Sequence, residues 1–126
     1  MRASLGKTMP EDLDRTGRAG LTIVLDPCPI DACCRTLVVE GQIDYYNADY
    51  FEETVADVLI PGIAKLEILC PGLRYVSWTG IAAFYRISHL LRLRGGGLVL
   101  SSARPRVFEM FDMLGVAEFI TFSPPP

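Results

Sequence analysis

The chain lacks any apolar run long enough to cross a membrane. Its best candidate, residues 80–91, is interrupted by Arg86 and His89 and falls short of the ~20 apolar residues a spanning helix needs. The N-terminus lacks the apolar stretch of a signal peptide. From both absences a cytoplasmic protein is expected, its four cysteines as free thiols and not as a disulfide frame. Basic density is also low. With a net charge of -3 and only Arg86, Arg92 and Arg94 gathered in one place, nothing offers a nucleic-acid surface. His89 is the only histidine. No serine or cysteine is placed to pair with it, and no two carboxylates form a credible acid–base pair. The sequence therefore offers no catalytic constellation, and neither enzyme nor cofactor is expected.

What is present suits one globular domain. The chain has 126 residues, half of them hydrophobic, enough for a real core. Residues 1–20 are polar, mixed in charge and without period, which predicts a flexible tail. Residues 21–25 read as a short strand closed by Pro27 and Pro29, and residues 36–40 as a second that pairs with it antiparallel at a sheet edge. Asn47 is placed to cap a helix whose apolar stripe is Phe51, Val55, Val58 and Leu59. Residues 65–70 form a third strand. A loop over residues 73–80 leads into a helix that starts at Thr79 and runs to about Arg94, with Ile81, Phe84, Ile87 and Leu91 at helical spacing. Gly95, Gly96 and Gly97 stop it. Residues 98–100 give a fourth strand. Pro105 opens a last helix with Val107, Phe108, Phe111 and Leu114 on its buried face, and residues 119–122 a last strand. Residues 123–126 form a Pro-rich end. Strand and helix alternate, so the domain over residues 21–122 is expected to be α/β, with a mixed, mostly parallel sheet and right-handed crossovers.

In such sheets the C-terminal ends of the strands carry the functional loops. That edge gathers Asp44, the 73–80 loop and residues 101–104, including Arg104. Thr79 sits at a helix start, where a hydroxyl serves as a plain cap or as a regulated group beside unpartnered N–H donors. Trp78, the only tryptophan, reads equally as core or as a partner-binding anchor. Helical spacing puts Ala82, Ala83 and Arg86 on the side of Thr79. Cys28, Cys33 and Cys34, with His89, lack the spacing of a zinc site, so no metal is expected. A redox pair between that loop and Cys70 is a further option.

Four motifs in register carry a resemblance to a known family: Gly41-Gln42-Ile43-Asp44 with Asn47-Ala48, then Val76-Ser77-Trp78-Thr79-Gly80, then residues 96–100, then residues 107–116. This pattern resembles the STAS domains, and among them the bacterial anti-sigma factor antagonists. The resemblance implies a non-enzymatic switch that binds an anti-sigma factor serine/threonine kinase, lets go when phosphorylated, and is reset by a phosphatase. By position, Thr79 matches the phosphoacceptor, with Ser77 as second choice. Gly80 matches the following glycine and Asp44 an acid at the end of strand two. Asp44, Ser77, Trp78, Gly80, Ala83, Arg86 and Arg104 are the expected partner-binding residues. Three departures stand out. Ser77 occupies the position of the family aspartate, and Leu69 that of a frequent acid. The sequence also ends at Pro126, where the family usually adds a helix, leaving an edge that a partner or second copy could cover. The alternatives are a constitutive STAS-type scaffold without phosphorylation, or a thiol-based redox or metal sensor using Cys28, Cys33, Cys34 and Cys70.

Overall fold

The computed structural model describes residues 20–26 and 33–124. The expected N-terminal tail, Cys28 and the last two prolines lie outside the described residues. Alternating apolar residues build a sheet whose strands run in the order β1 (Leu21–Leu25), β2 (Cys34–Ile43), β3 (Lys65–Leu69), β5 (Gly97–Ser101) and β6 (Thr121–Ser123), with β4 (Leu73–Val76) paired to β2. Among the described residues only the β1–β2 pair is antiparallel; the other four pairs are parallel. The connections carry α1 (Ala48–Val58), α2 (Trp78–Leu93) and α3 (Pro105–Met113). This is the mixed, mostly parallel α/β domain that the strand–helix alternation predicts.

The period of two along the strands sends Leu37, Val39 and Ile43 of β2, Leu66 and Ile68 of β3, and Leu98 and Leu100 of β5 into one core. The intervening Thr36, Glu40, Glu67 and Val99 are partly or fully exposed. Against the inner face the helices lay the stripes their spacing predicts: Phe51, Val55 and Val58 from α1, and Ile81, Phe84, Ile87 and Leu91 from α2. α3 contributes Val107 and Phe111. Leu114, expected beside them, is instead exposed, because α3 ends one residue earlier and Leu114 is its C-cap. Four phenylalanines join the elements: Phe51 to Phe84 at 4.8 Å, Phe84 to Phe111 at 5.2 Å, and Phe111 to Phe122 at 5.8 Å between ring centroids.

Several strand boundaries differ from the sequence reading. The second strand is ten residues long, not five, and its end matters for the site. Gly41 interrupts it with a register shift and a φ of 105°. A Cβ at Gly41 would overlap the Gly20 carbonyl, so only glycine lets β1 approach there. Before this irregularity β2 pairs with β3; beyond it β2 pairs with β4. Residues 73–76, expected as loop, are thus a short strand held by the far end of β2. At the other edge, residues 117–119 form a single helical turn and the last strand begins only at Thr121.

Candidate partner-binding site

The site grows from the ends of β2 and β4. The Ser77 N–H donates to the Ile43 carbonyl at 2.7 Å, locking the two strand ends together. α2 starts immediately, at Trp78, with Ser77 as its N-cap in extended conformation. The Ser77 Oγ accepts the Gly80 N–H at 3.2 Å. The cap is therefore Ser77 and not Thr79. Ser77 is buried, and its Oγ lies 2.7 Å from Thr79 Oγ1, in hydrogen-bond contact. That arrangement leaves the half-buried Thr79 on the helix's outer side with no capping duty. A serine performs the geometric task of an aspartate cap here, but without its negative charge.

The turn after β2 is built by Asp44. Its Oδ1 accepts the N–H groups of Tyr46, at 2.9 Å, and Asn47, at 3.0 Å. Asn47 stands at the N-cap position of α1, as expected, yet its side chain makes no cap bond to the helix. It is buried and turned back, accepting the Asp44 N–H at 2.8 Å and donating to the Gln42 carbonyl at 3.2 Å. This closed polar turn pushes Tyr45 and Tyr46 outward, 71% and 84% exposed. Trp78 is 69% exposed, so it does not belong to the core.

Tyr45, Tyr46 and Trp78 border an open groove of about 370 Å³ between the starts of α1 and α2. Ala48 and Asp49 line it from α1; Thr79, Ala82 and Arg86 line it from α2. Arg86 holds Glu52 of α1 through two parallel bonds, Nε to Oε2 at 2.8 Å and Nη2 to Oε1 at 2.7 Å. These hydrogen bonds keep the guanidinium above its ordinary pKa.

The groove thus unites Trp78, Thr79 and Arg86 of the expected residues. Others fall elsewhere. Ala83, expected on the same side of the helix, is fully buried and offers no surface. A helix face three residues wide curves back into the core, and position 83 is on the Phe84 side. Gly80 is buried too: a Cβ there would come within 2.7 Å of Ile43 Cγ2 and 2.8 Å of Val76 Cγ1. Its glycine serves the close approach of α2 to the strand ends. Asp44 is spent on its turn. Arg104 lies outside the groove, its Nε donating to the Pro71 carbonyl at 2.8 Å. The sequence reading missed Tyr45, Tyr46 and Glu52 as site residues. The adjacent tyrosines between a strand and a helix were the available signal; nothing local marked Glu52, whose partner lies 34 residues away.

Among the described residues, Cys70 does not meet the other thiols. Cys33 and Cys34 have their sulfurs 4.0 Å apart. Cys34 pairs with Lys65 at the start of β3, whereas Cys70 follows the end of that strand. Five residues of strand separate them by ~16 Å, far beyond the reach of a disulfide. That geometry overturns a redox pair between Cys34 and Cys70. Cys70 is buried, its thiol pushed up to about 11 by desolvation. Among the described residues no group of histidine, cysteine and acidic side chains could hold a metal ion, and no helix is long and apolar enough to cross a membrane.

No curated protein sequence matches the chain significantly. Its fold is similar to that of the anti-sigma factor antagonist SpoIIAA in its unphosphorylated form, with a TM-score of 0.64 at 11% identity over 78% of this chain and 86% of that one. An anti-sigma factor antagonist from Mycobacterium paratuberculosis superposes with a TM-score of 0.66 at 14% identity, covering 83% and 86% of the two chains. The same fold occurs within SLC26A9, at 0.59 and 18% identity, where it spans 68% of this chain but 16% of that one. At these identities the likeness speaks for the fold. The sequence itself, over residues 30–125, matches the STAS domain model, and with this sheet order and these helices the chain belongs to the STAS domain family.

Proposed function

We propose that the protein is an anti-sigma factor antagonist, a non-enzymatic binding switch. It engages an anti-sigma factor that is also a serine/threonine kinase through the groove between α1 and α2, and is released when Thr79 is phosphorylated. One observation carries this reading. The Thr79 hydroxyl, freed from capping by Ser77, sits on the wall of a groove bordered by three exposed aromatic side chains. Large exposed aromatics around an open groove are the composition of a binding surface. The likeness to two antagonist structures supports the same role.

In the switch, Thr79 Oγ1 attacks the γ-phosphorus of ATP bound to the partner kinase. The bond to ADP breaks, and the hydroxyl proton passes to a base of the kinase. The phosphate brings about -1.5 to -2 charges into the groove. At a helix N-terminus this leaves α2 intact, so its effect falls on the interface, through repulsion and desolvation. A phosphatase restores the hydroxyl with water. Ser77 is the poorer acceptor because it is buried and its oxygen already accepts the Gly80 N–H.

Incubation with the cognate kinase and ATP, followed by fragmentation of the intact protein, should place one phosphate on Thr79. Phosphate confined to Ser77 or to residues 1–19 would overturn the assignment. The neutral Ser77 favours a second reading, a constitutive scaffold. It predicts an unmodified protein in that experiment and binding that survives Thr79→Glu.

A further inference from the structure

Thr79 and Arg86 lie on one wall of the groove, seven residues apart on α2, with the small Ala82 between them. Arg86 is engaged by Glu52 of α1, and this ion pair bridges the two helices. The pair is open to solvent, with side chains 56% and 29% exposed. Exposed ion pairs are weak, so a stronger anion within reach competes for the guanidinium. A phosphate is such an anion, with more charge than a carboxylate and oxygens that suit the two-pronged arginine donor.

We propose that Arg86 is an intramolecular receptor for phosphate on Thr79, and that capturing it releases Glu52 and opens the bridge between α1 and α2. This rests on the reading of Thr79 as the phosphoacceptor. Seven residues of helix span about 10.5 Å along the axis. Side chains on a helix incline toward its N-terminus, which aims Arg86 back along α2 toward Thr79. The methyl group of Ala82 leaves that path clear. Ser77 assists from the other side: once Thr79 Oγ1 is esterified it has no proton, so Ser77 must donate across the 2.7 Å contact while still accepting the Gly80 N–H.

The exchange spreads one modification over both walls of the groove. On α2 the new negative charge is partly neutralised by Arg86. On α1 the Glu52 carboxylate, one helical turn beyond the groove-lining Asp49, loses its partner. A partner seated there meets added negative charge on α1, on the wall opposite the modified residue.

The test uses the full chain with phosphothreonine genetically encoded at position 79, so that no kinase is needed. Failure of any kinase to modify Thr79 would sink the function proposed above and leave this measurement untouched. The phosphate is titrated by 31P NMR in the wild-type background and in R86Q, E52Q and E52Q/R86Q. Its second pKa, ordinarily about 6, should rise by about half a unit in R86Q, a modest shift because the pair is exposed. It should fall in E52Q, where Arg86 is freed, and that fall should vanish in the R86Q background. Superimposable curves for wild type and R86Q would overturn the proposal. An equal E52Q effect with and without Arg86 would overturn the release of Glu52.

Discussion

Trp78 shows how exposure decides between two roles that one residue type can fill. An indole in the core would cost about 3–5 kcal/mol of stability on truncation. At 69% exposure, Trp78→Ala should change folding stability by no more than about 0.5 kcal/mol. It should weaken partner binding by about 2 kcal/mol, the scale of a central aromatic anchor. A denaturant melt and a binding titration on this one variant check both halves. Cys70 is the opposite case, a polarizable group kept from solvent. Because burial pushes its thiol from 9.0 to about 11, it holds little thiolate at pH 8. Iodoacetamide at that pH should label Cys33 and Cys34 in the native protein and reach Cys70 only on unfolding, as read by peptide mass. The sign for stability follows. Between pH 9 and 11 the unfolded chain has lost the Cys70 proton that the folded chain keeps, so stability falls as pH rises through that window.

At the scale of one element, the start of α2 separates capping from modification. Two hydroxyls two residues apart compete for the cap, and the geometry assigns it to Ser77. Ser77→Ala should cost about 1 kcal/mol, the usual loss for a missing N-cap. Thr79→Ala should cost less than about 0.5 kcal/mol, since its hydroxyl bonds only to Ser77 among the described contacts. Urea midpoints of the two variants check the order; the reverse order would return the cap to Thr79. Locally the two positions look alike, because both precede the apolar period of the helix. What separates them is β4, whose pairing with the end of β2 brings Ser77 N–H to the Ile43 carbonyl and fixes where the helix turns.

Across the whole molecule, a row of phenylalanine rings connects α1, α2, α3 and β6. Phe84 is its middle member, fully buried between Phe51 and Phe111. Phe84→Ala removes contacts to two other helices at once, and should cost about 3–5 kcal/mol. Thermal and chemical melts should show one cooperative transition moved to milder conditions. The same row sets the spacing of α1 and α2, and so the width of the groove that holds Thr79. Stability and site are coupled through these rings, although none of them lines the groove.

Periodicity alone determined most of the elements, their type and most of the core. Alternation over five residues and a period of three and four survive any tertiary arrangement, because burial of one face is what both encode. The family motifs pointed to Thr79 and Trp78, which stand in the first turn of α2. Only the tertiary structure decided the rest. It made residues 73–76 a strand, since four residues with two exposed neighbours carry no clear period and are held by the end of β2. It moved the helix cap to Ser77, buried Gly80 and Ala83, and drew Arg104 off to Pro71. It also placed Tyr45, Tyr46 and Glu52 at the site, through a polar turn and an ion pair that spans 34 residues of sequence. Contacts between distant segments leave no local pattern. They arise from how helices pack on a sheet, and the groove beside Thr79 is made of such contacts.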